Sequence, residues 1–419
     1  MCNFALLKSF RPEKLKKLFL ILLIFTSPLI SSAQSVPYVR GDKGPDVNKI
    51  LTDRGIQIST TEALNLMYNF RFDEAAREFK WLKVEFPEHP IGDFLLGLNE
   101  WWRIVPDTKQ TRFDEECHSY MDTAIEKAER MLKKNKNNKE AMFFISASYA
   151  IKGRLYAERE KWVKSAFAGK KAIKYLDESR GEENINPELL FGDGVYNYYS
   201  KWIHENYKSL RPLLTFFRKG TKEQGIKQLE YVSNNAFYSR MEARYFLVQI
   251  YAMEKQSGKS LMMAAQMHNM YPNNSFFHRF VARNSFALGR LNEAEVYSKQ
   301  LLENVEAGKY GYGANDGRYG AYILGYIYQM KYHNNSIAKG YYEKSIQYAL
   351  DNDSKETGYY ASANLSLAKI AVADKEYKDA ATYLGEALKN SDKKSSTYTE
   401  AKKELDSLSK LVKAAKKKK

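Results

Sequence analysis

Residues 241–274 read MEARYFLVQIYAMEKQSGKSLMMAAQMHNMYPNN, and residues 275–307 read SFFHRFVARNSFALGRLNEAEVYSKQLLENVEA. Slid by 34 positions, the first stretch lands on the second. Val248 falls on Ala282, Tyr251 on Ser285, Ala264 on Ser298 and Met267 on Leu301. Each copy reads as two amphipathic helices, because its apolar residues recur at helical spacing. A short glycine-bearing turn joins them, Ser257-Gly258 in one copy and Leu288-Gly289-Arg290 in the other. A helix pair this small cannot bury its own apolar faces, so successive copies must stack.

The pattern extends in both directions. Upstream, Thr61 is placed to cap a helix EALNLMYNF, and FDEAAREFKWLKVEFP supplies its partner. Ala75, Phe79 and Leu82 share one face, and Pro87 breaks the chain at the position Pro272 occupies in the later copy. Downstream, 318–350 (Gly325 and Tyr328 at packing positions) and 362–390 (Ala368, Ala380 and Ala387 at the small positions) repeat the layout. A period of 34 with this arrangement resembles the tetratricopeptide (TPR) repeat. The resemblance implies an all-α solenoid of about seven to eight antiparallel helix pairs over residues 60–396, its first helices forming a concave face. Residues 397–419 read as a capping helix, with Leu405, Leu408 and Leu411 on one side and a basic tail.

Residues 186–234 depart from the plain unit. Pro187 opens a helix, PELLFGDGVYNYYSKWIHENY, with Gly192 and Gly194 inside it, and an interior glycine costs about 1 kcal/mol against alanine. Those glycines therefore predict a close helix approach or a kink. SLRPLLTFFRKG then intervenes before KEQGIKQLEYVSNN. The order of glycine-bearing aromatic helix, Arg-Pro-Leu-Leu-x-Phe-Phe segment and Lys/Gly-rich entry to a helix with Leu229 resembles the helical-repeat family typified by the outer mitochondrial membrane protein Iml2 and its animal TTC39-type relatives. That likeness again implies a helical-repeat fold.

The chain opens differently. Lys14, Lys16 and Lys17 precede the apolar run Leu18–Ile30, and small residues follow up to Ala33. Thirteen residues broken by Pro28 are too few to span a bilayer, which needs about 20. Residues 1–33 therefore read as a secretory signal peptide cut after Ala33, and 34–59, rich in Gly and Pro, as an extended leader. Removing the signal takes five Lys/Arg and one Glu from a chain of formal charge +16, leaving +12, and leaves Cys117 as the lone cysteine. An exported chain without disulfides is expected in the periplasm or cell envelope of a Gram-negative bacterium, with no transmembrane span after processing. The basic sign excludes no anionic partner, but an exported chain with no reading module is not expected to bind nucleic acid.

Signs of catalysis are absent. The six histidines are scattered, none in HExxH, and His268 and His278 lie without a carboxylate at ligand spacing, so neither a metal nor a cofactor is expected. Gly311, Gly313 and Gly317 lack the preceding strand a phosphate loop requires, and predict instead a flexible loop presenting Tyr310, Tyr312 and Tyr319. Asp193, inside an aromatic helix, is the acid with the most unusual setting. With 31 tyrosines, several adjacent (Tyr198-Tyr199, Tyr341-Tyr342, Tyr359-Tyr360), at least one of each pair is expected to reach a groove or surface. Tyr196, Asn197, Tyr199 and Trp202 are the partner-binding candidates. The reading is a non-catalytic scaffold holding a protein or peptide, with a glycan- or anionic-lipid-binding component as the alternative.

Overall fold

The computed structural model describes residues 49–181, 186–206, 211, 218–355 and 359–417. The expected signal peptide, the leader up to residue 48 and the Pro212–Phe217 part of the insertion lie outside them. Among the described residues there are seventeen α-helices and no strand. They run α1 (Arg54–Tyr68), α2 (Phe72–Glu85), α3 (Ile91–Ile104), α4 (Asp114–Lys134), α5 (Lys139–Glu158), α6 (Trp162–Glu178), α7 (Leu190–Asn206) and α8 (Lys222–Asn235). After these come α9 (Arg240–Met253), α10 (Ser257–Met270), α11 (Ser275–Ala287), α12 (Leu291–Glu306), α13 (Ala314–Met330) and α14 (Asn335–Asp351). The last are α15 (Tyr360–Ala373), α16 (Tyr377–Lys389) and α17 (Ser396–Lys417). The chain forms two compact units that divide between Ile250 and Tyr251, within α9.

In the N-terminal unit each helix from α1 to α6 packs on the next, and α7 packs on α8. Alternate helices also touch, α1 with α3 and α3 with α5. An odd-numbered helix thus has neighbours on several sides, whereas an even-numbered one has an outward face. The side chains agree. Along α3 every residue except Arg103 is buried, while α2 buries only the stripe Phe72, Ala75, Phe79 and Leu82. The C-terminal unit follows the same rule from α10 to α17, with α11–α13 and α15–α17 as its alternate contacts.

The aligned positions are all interior: Val248, Tyr251, Ala264, Met267, Ala282, Ser285, Ser298 and Leu301 are buried. So are Ala368, Ala380 and Ala387. Gly325 lies under a ring, since a Cβ there would sit 2.7 Å from Tyr342 Cδ1.

Five of the turns inside the pairs share one device. A single residue takes the left-handed conformation, and the next amide donates to a carbonyl five residues back, which ends the helix with its last carbonyls satisfied. Gly289 (φ +72°) does this after α11, with Arg290 N donating to Ser285 O at 2.9 Å. In the preceding copy the role falls to Lys255 (φ 61°), 34 residues earlier, and Ser257-Gly258 already belongs to α10. Phe70, Glu160 and Lys375 are the counterparts after α1, α5 and α15. The expected turn glycine is therefore used in one copy and replaced by a strained non-glycine in its neighbour.

One boundary moves. The first helix begins at Arg54, not at Thr61, because Asp53 is a stronger cap: its carboxylate accepts from Ile56 N at 2.9 Å. Thr61 lies inside the helix and donates to Gln57 O. Within the expected 34–59 leader, the described residues instead hold a short 3-10 turn (Ile50–Thr52) and the first turns of α1.

Candidate functional site

Helix α7 carries the sequence-selected residues, and its glycines explain how it packs. A Cβ on Gly194 would come within 3.2 Å of Leu229 N, and one on Gly225 within 2.5 Å of Tyr198 N. Helices α7 and α8 thus cross with backbone almost on backbone, which only glycine at both positions permits. The close approach that Gly194 implied is present, and no kink is needed to account for it.

That crossing encloses the candidate residues rather than displaying them. Tyr196 is buried, donates to Arg218 O at 2.8 Å and has the Arg218 guanidinium 4.1 Å from its ring centroid. Asn197, also buried, donates to Gln228 Oε1 at 2.7 Å and accepts from Arg218 Nη1 at 3.0 Å. Tyr199 packs edge-on against Tyr198, Trp202 and Phe246. Burial raises the Tyr199 phenol well above its ordinary pKa. Only Trp202 reaches the surface in part. Of the four candidates, Tyr196, Asn197 and Tyr199 are thus packed inside and Trp202 is partly exposed.

Asp193 is buried in the same region and fully engaged. Arg180 clamps it with Nη2 at 2.7 Å and Nε at 3.2 Å, and Arg218 Nη2 also donates to it. A carboxylate held by two guanidiniums ties their segments together as a structural anchor.

Of the three adjacent tyrosine pairs, Tyr341-Tyr342 behaves as expected, with Tyr342 buried and Tyr341 partly exposed, and the other two do not. Tyr198 and Tyr199 are both buried, as are Tyr359 and Tyr360, because odd-numbered helices are covered on more than one face. The glycine-bearing loop 308–313 presents Tyr310, which is exposed. Tyr312 instead turns inward, its hydroxyl 3.0 Å from His278 Nδ1, and Tyr319 is buried between Arg283 and Arg318, whose guanidiniums lie 4.6 and 4.9 Å from its ring centroid. Those cations hold the Tyr319 phenol down at about 8 despite its burial.

A polar centre that sequence reading missed lies deeper in the N-terminal unit. The first half of α9 is surrounded by four earlier helices. Glu242 accepts from Tyr68 Oη of α1 at 3.0 Å and from Trp102 Nε1 of α3 at 2.7 Å. Arg154 of α5 donates to Tyr245 Oη at 3.0 Å, and Phe191 and Tyr199 of α7 meet Phe246 edge-on. Glu188 fixes the start of α9 by accepting from the amides of Phe237, Tyr238 and Ser239 at 2.6–2.8 Å. Desolvation dominates at Glu242 and pushes its carboxyl up to about 8. Only the aromatic and polar residues at positions that repeat logic reserves for apolar side chains (Trp102, Glu242) could have signalled it.

Catalytic geometry does not emerge among the described residues. No group of three or more His, Cys, Asp or Glu side chains there could hold a metal. His268 and His278 do stack, at 4.5 Å between centroids, and burial lowers both; His278 is pressed down to about 3. Cys117 is buried, donates to Gly97 O and has its thiol pushed up by burial, the opposite of a nucleophile's setting. No described helix is long and apolar enough to cross a membrane.

No family model and no curated protein matches the chain. Among solved structures it is similar to the crystal structure of the P58(IPK) TPR domain, at 13% identity over 88% of this chain and 99% of that one, with a TM-score of 0.27. The 34-residue register and the alternating packing of the helices make the fold a helical repeat.

Proposed function

We propose that this protein is a non-catalytic scaffold that holds a protein or peptide partner, working in the periplasm or cell envelope of a Gram-negative bacterium after loss of residues 1–33. The supporting observation is how the polar side chains are used. Asp193, Glu188 and Glu242 are each consumed by internal hydrogen bonds, while even-numbered helices such as α2 bury one stripe and leave a long face to solvent. Helical-repeat arrays ordinarily bind along the face lined by their first helices, but in the N-terminal unit those helices are largely buried, which leaves the exposed faces of the second helices. The inner residues of the N-terminal unit are occupied by α9, so a partner contacts outward faces there, or the C-terminal unit.

The test is in-cell crosslinking followed by purification from the source cells, with the recovered chain sequenced from its N-terminus. One recurrent protein partner and a start at Gln34 are expected. A chain that retains residues 1–33, or that recovers no protein at all, sinks the corresponding half of the reading.

A further inference from the structure

Helix α6 has an outward face unlike its inward one. Its buried stripe is small: Ser165, Ala168, Ala172 and Leu176. On the opposite side Val163, Lys164, Phe167, Lys170, Lys171 and Lys174 follow one another at i, i+1, i+4, i+7, i+8 and i+11, and all six are exposed. Val163 is 70% exposed and Phe167 67%, and both point to solvent one turn apart. Isolated exposed apolar residues are ordinary. Here, however, the two sit at the head of a lysine strip about 16 Å long at 1.5 Å per residue. No acidic residue interrupts the helix before Asp177, and Asp177 is engaged by Arg180 and Arg218. Lys174 is drawn toward Glu178 at 3.7 Å, and Lys164 and Lys171, exposed residues, have their ammonium groups over the rings of Tyr156 and Tyr149.

A basic helix face with apolar side chains at one edge fits a surface that is anionic outside and apolar beneath. An acidic surface alone would meet the lysines, whereas a bilayer meets the lysines with its headgroups and the two apolar side chains with the acyl boundary beneath. We propose that the outward face of α6 docks the protein onto an anionic lipid bilayer, lysines at the phosphate level and Phe167 with Val163 dipping toward the acyl boundary. The docking is peripheral and electrostatically driven, and goes beyond the scaffold reading by supplying the surface on which the scaffold works. Each lysine near an anionic membrane contributes about fivefold in affinity, so three contribute about two orders of magnitude.

The experiment is sedimentation of the protein, purified from its own cells, with vesicles of phosphatidylglycerol and phosphatidylethanolamine or of phosphatidylcholine alone. Binding to the phosphatidylglycerol vesicles that weakens with salt is expected, and none to phosphatidylcholine. Lys164→Gln/Lys170→Gln/Lys171→Gln should weaken it about 100-fold, and Val163→Ser/Phe167→Ser should weaken it with the salt dependence kept. All five positions are exposed, so an unchanged thermal transition will show that both variants fold. Binding that survives both variants places the contact on another basic segment and overturns the proposal. Retention on poly-glutamate as strong as on vesicles, insensitive to Phe167, reassigns the face to an acidic partner and also overturns it. Absence of vesicle binding at low salt does the same.

Discussion

Glu242 is a carboxyl buried in the interior of the N-terminal unit. Its carboxyl is raised from an ordinary 4.5 to about 8, so the folded state prefers it protonated. The corresponding stability is fully present below pH 4.5 and is lost as pH rises to about 8, beyond which it is constant. Each pH unit in that window is worth up to about 1.4 kcal/mol. Glu242→Gln keeps an acceptor for Tyr68 and Trp102 but cannot ionise. Urea unfolding followed between pH 5 and 8.5 should therefore show a stability that falls with pH in the wild type and falls less in the variant. The two proteins should differ most at the alkaline end. Equal slopes would mean that Glu242 is solvated or that Arg154 compensates it.

At the scale of the helix, two kinds of position carry opposite backbone demands. Gly225 faces Tyr198 N at the α7–α8 crossing, so Gly225→Ala has to push two helices apart. It should cost about 1–3 kcal/mol in thermal or urea unfolding, the range for overpacking. Lys375 is the reverse case, a non-glycine held at φ 62° in the turn after α15. Lys375→Gly removes the Cβ conflict and is expected to raise stability by about 0.5–1 kcal/mol, read as an increase in Tm. Both outcomes bear on what was legible in the sequence. Ala264, Ser298, Met267 and Leu301 were placed correctly because helix periodicity reports one buried stripe per helix, and α10 and α12 have one. The burial of Tyr199 and Tyr359 is not legible in this way, because periodicity says nothing of a second and third neighbour, and odd-numbered helices have them. Lys255 in a left-handed turn was missed because residue type favours the adjacent Gly258, while the register with Gly289 favours Lys255.

For the molecule as a whole, the N-terminal unit is less modular than its repeats imply. A plain repeat array contacts only its nearest neighbours, so it tolerates truncation at a repeat boundary. Here a chain ending at Asn235 keeps α1 to α8 but loses every partner of Tyr68, Trp102 and Phe191 that α9 supplies. Such a chain should lose cooperative unfolding by circular dichroism, and a chain ending at Met253 should retain it. Cooperative melting of the shorter chain would show that α1 to α8 are stable without α9.

The same helix imposes a timetable. Residues 68 and 242 must meet across a separation of 174 positions, so the innermost hydrogen bonds of the first repeat wait for a segment made much later. Contacts of that separation close slowly, since a long loop must be ordered before they form. While the chain is being synthesised, Trp102 and Tyr68 stay open to water or to a chaperone until α9 arrives. Between synthesis of Trp102 and of Glu242 about 140 residues emerge, roughly 7 to 28 seconds at about 5–20 residues per second, and through that interval the early repeats have no α9 to pack on.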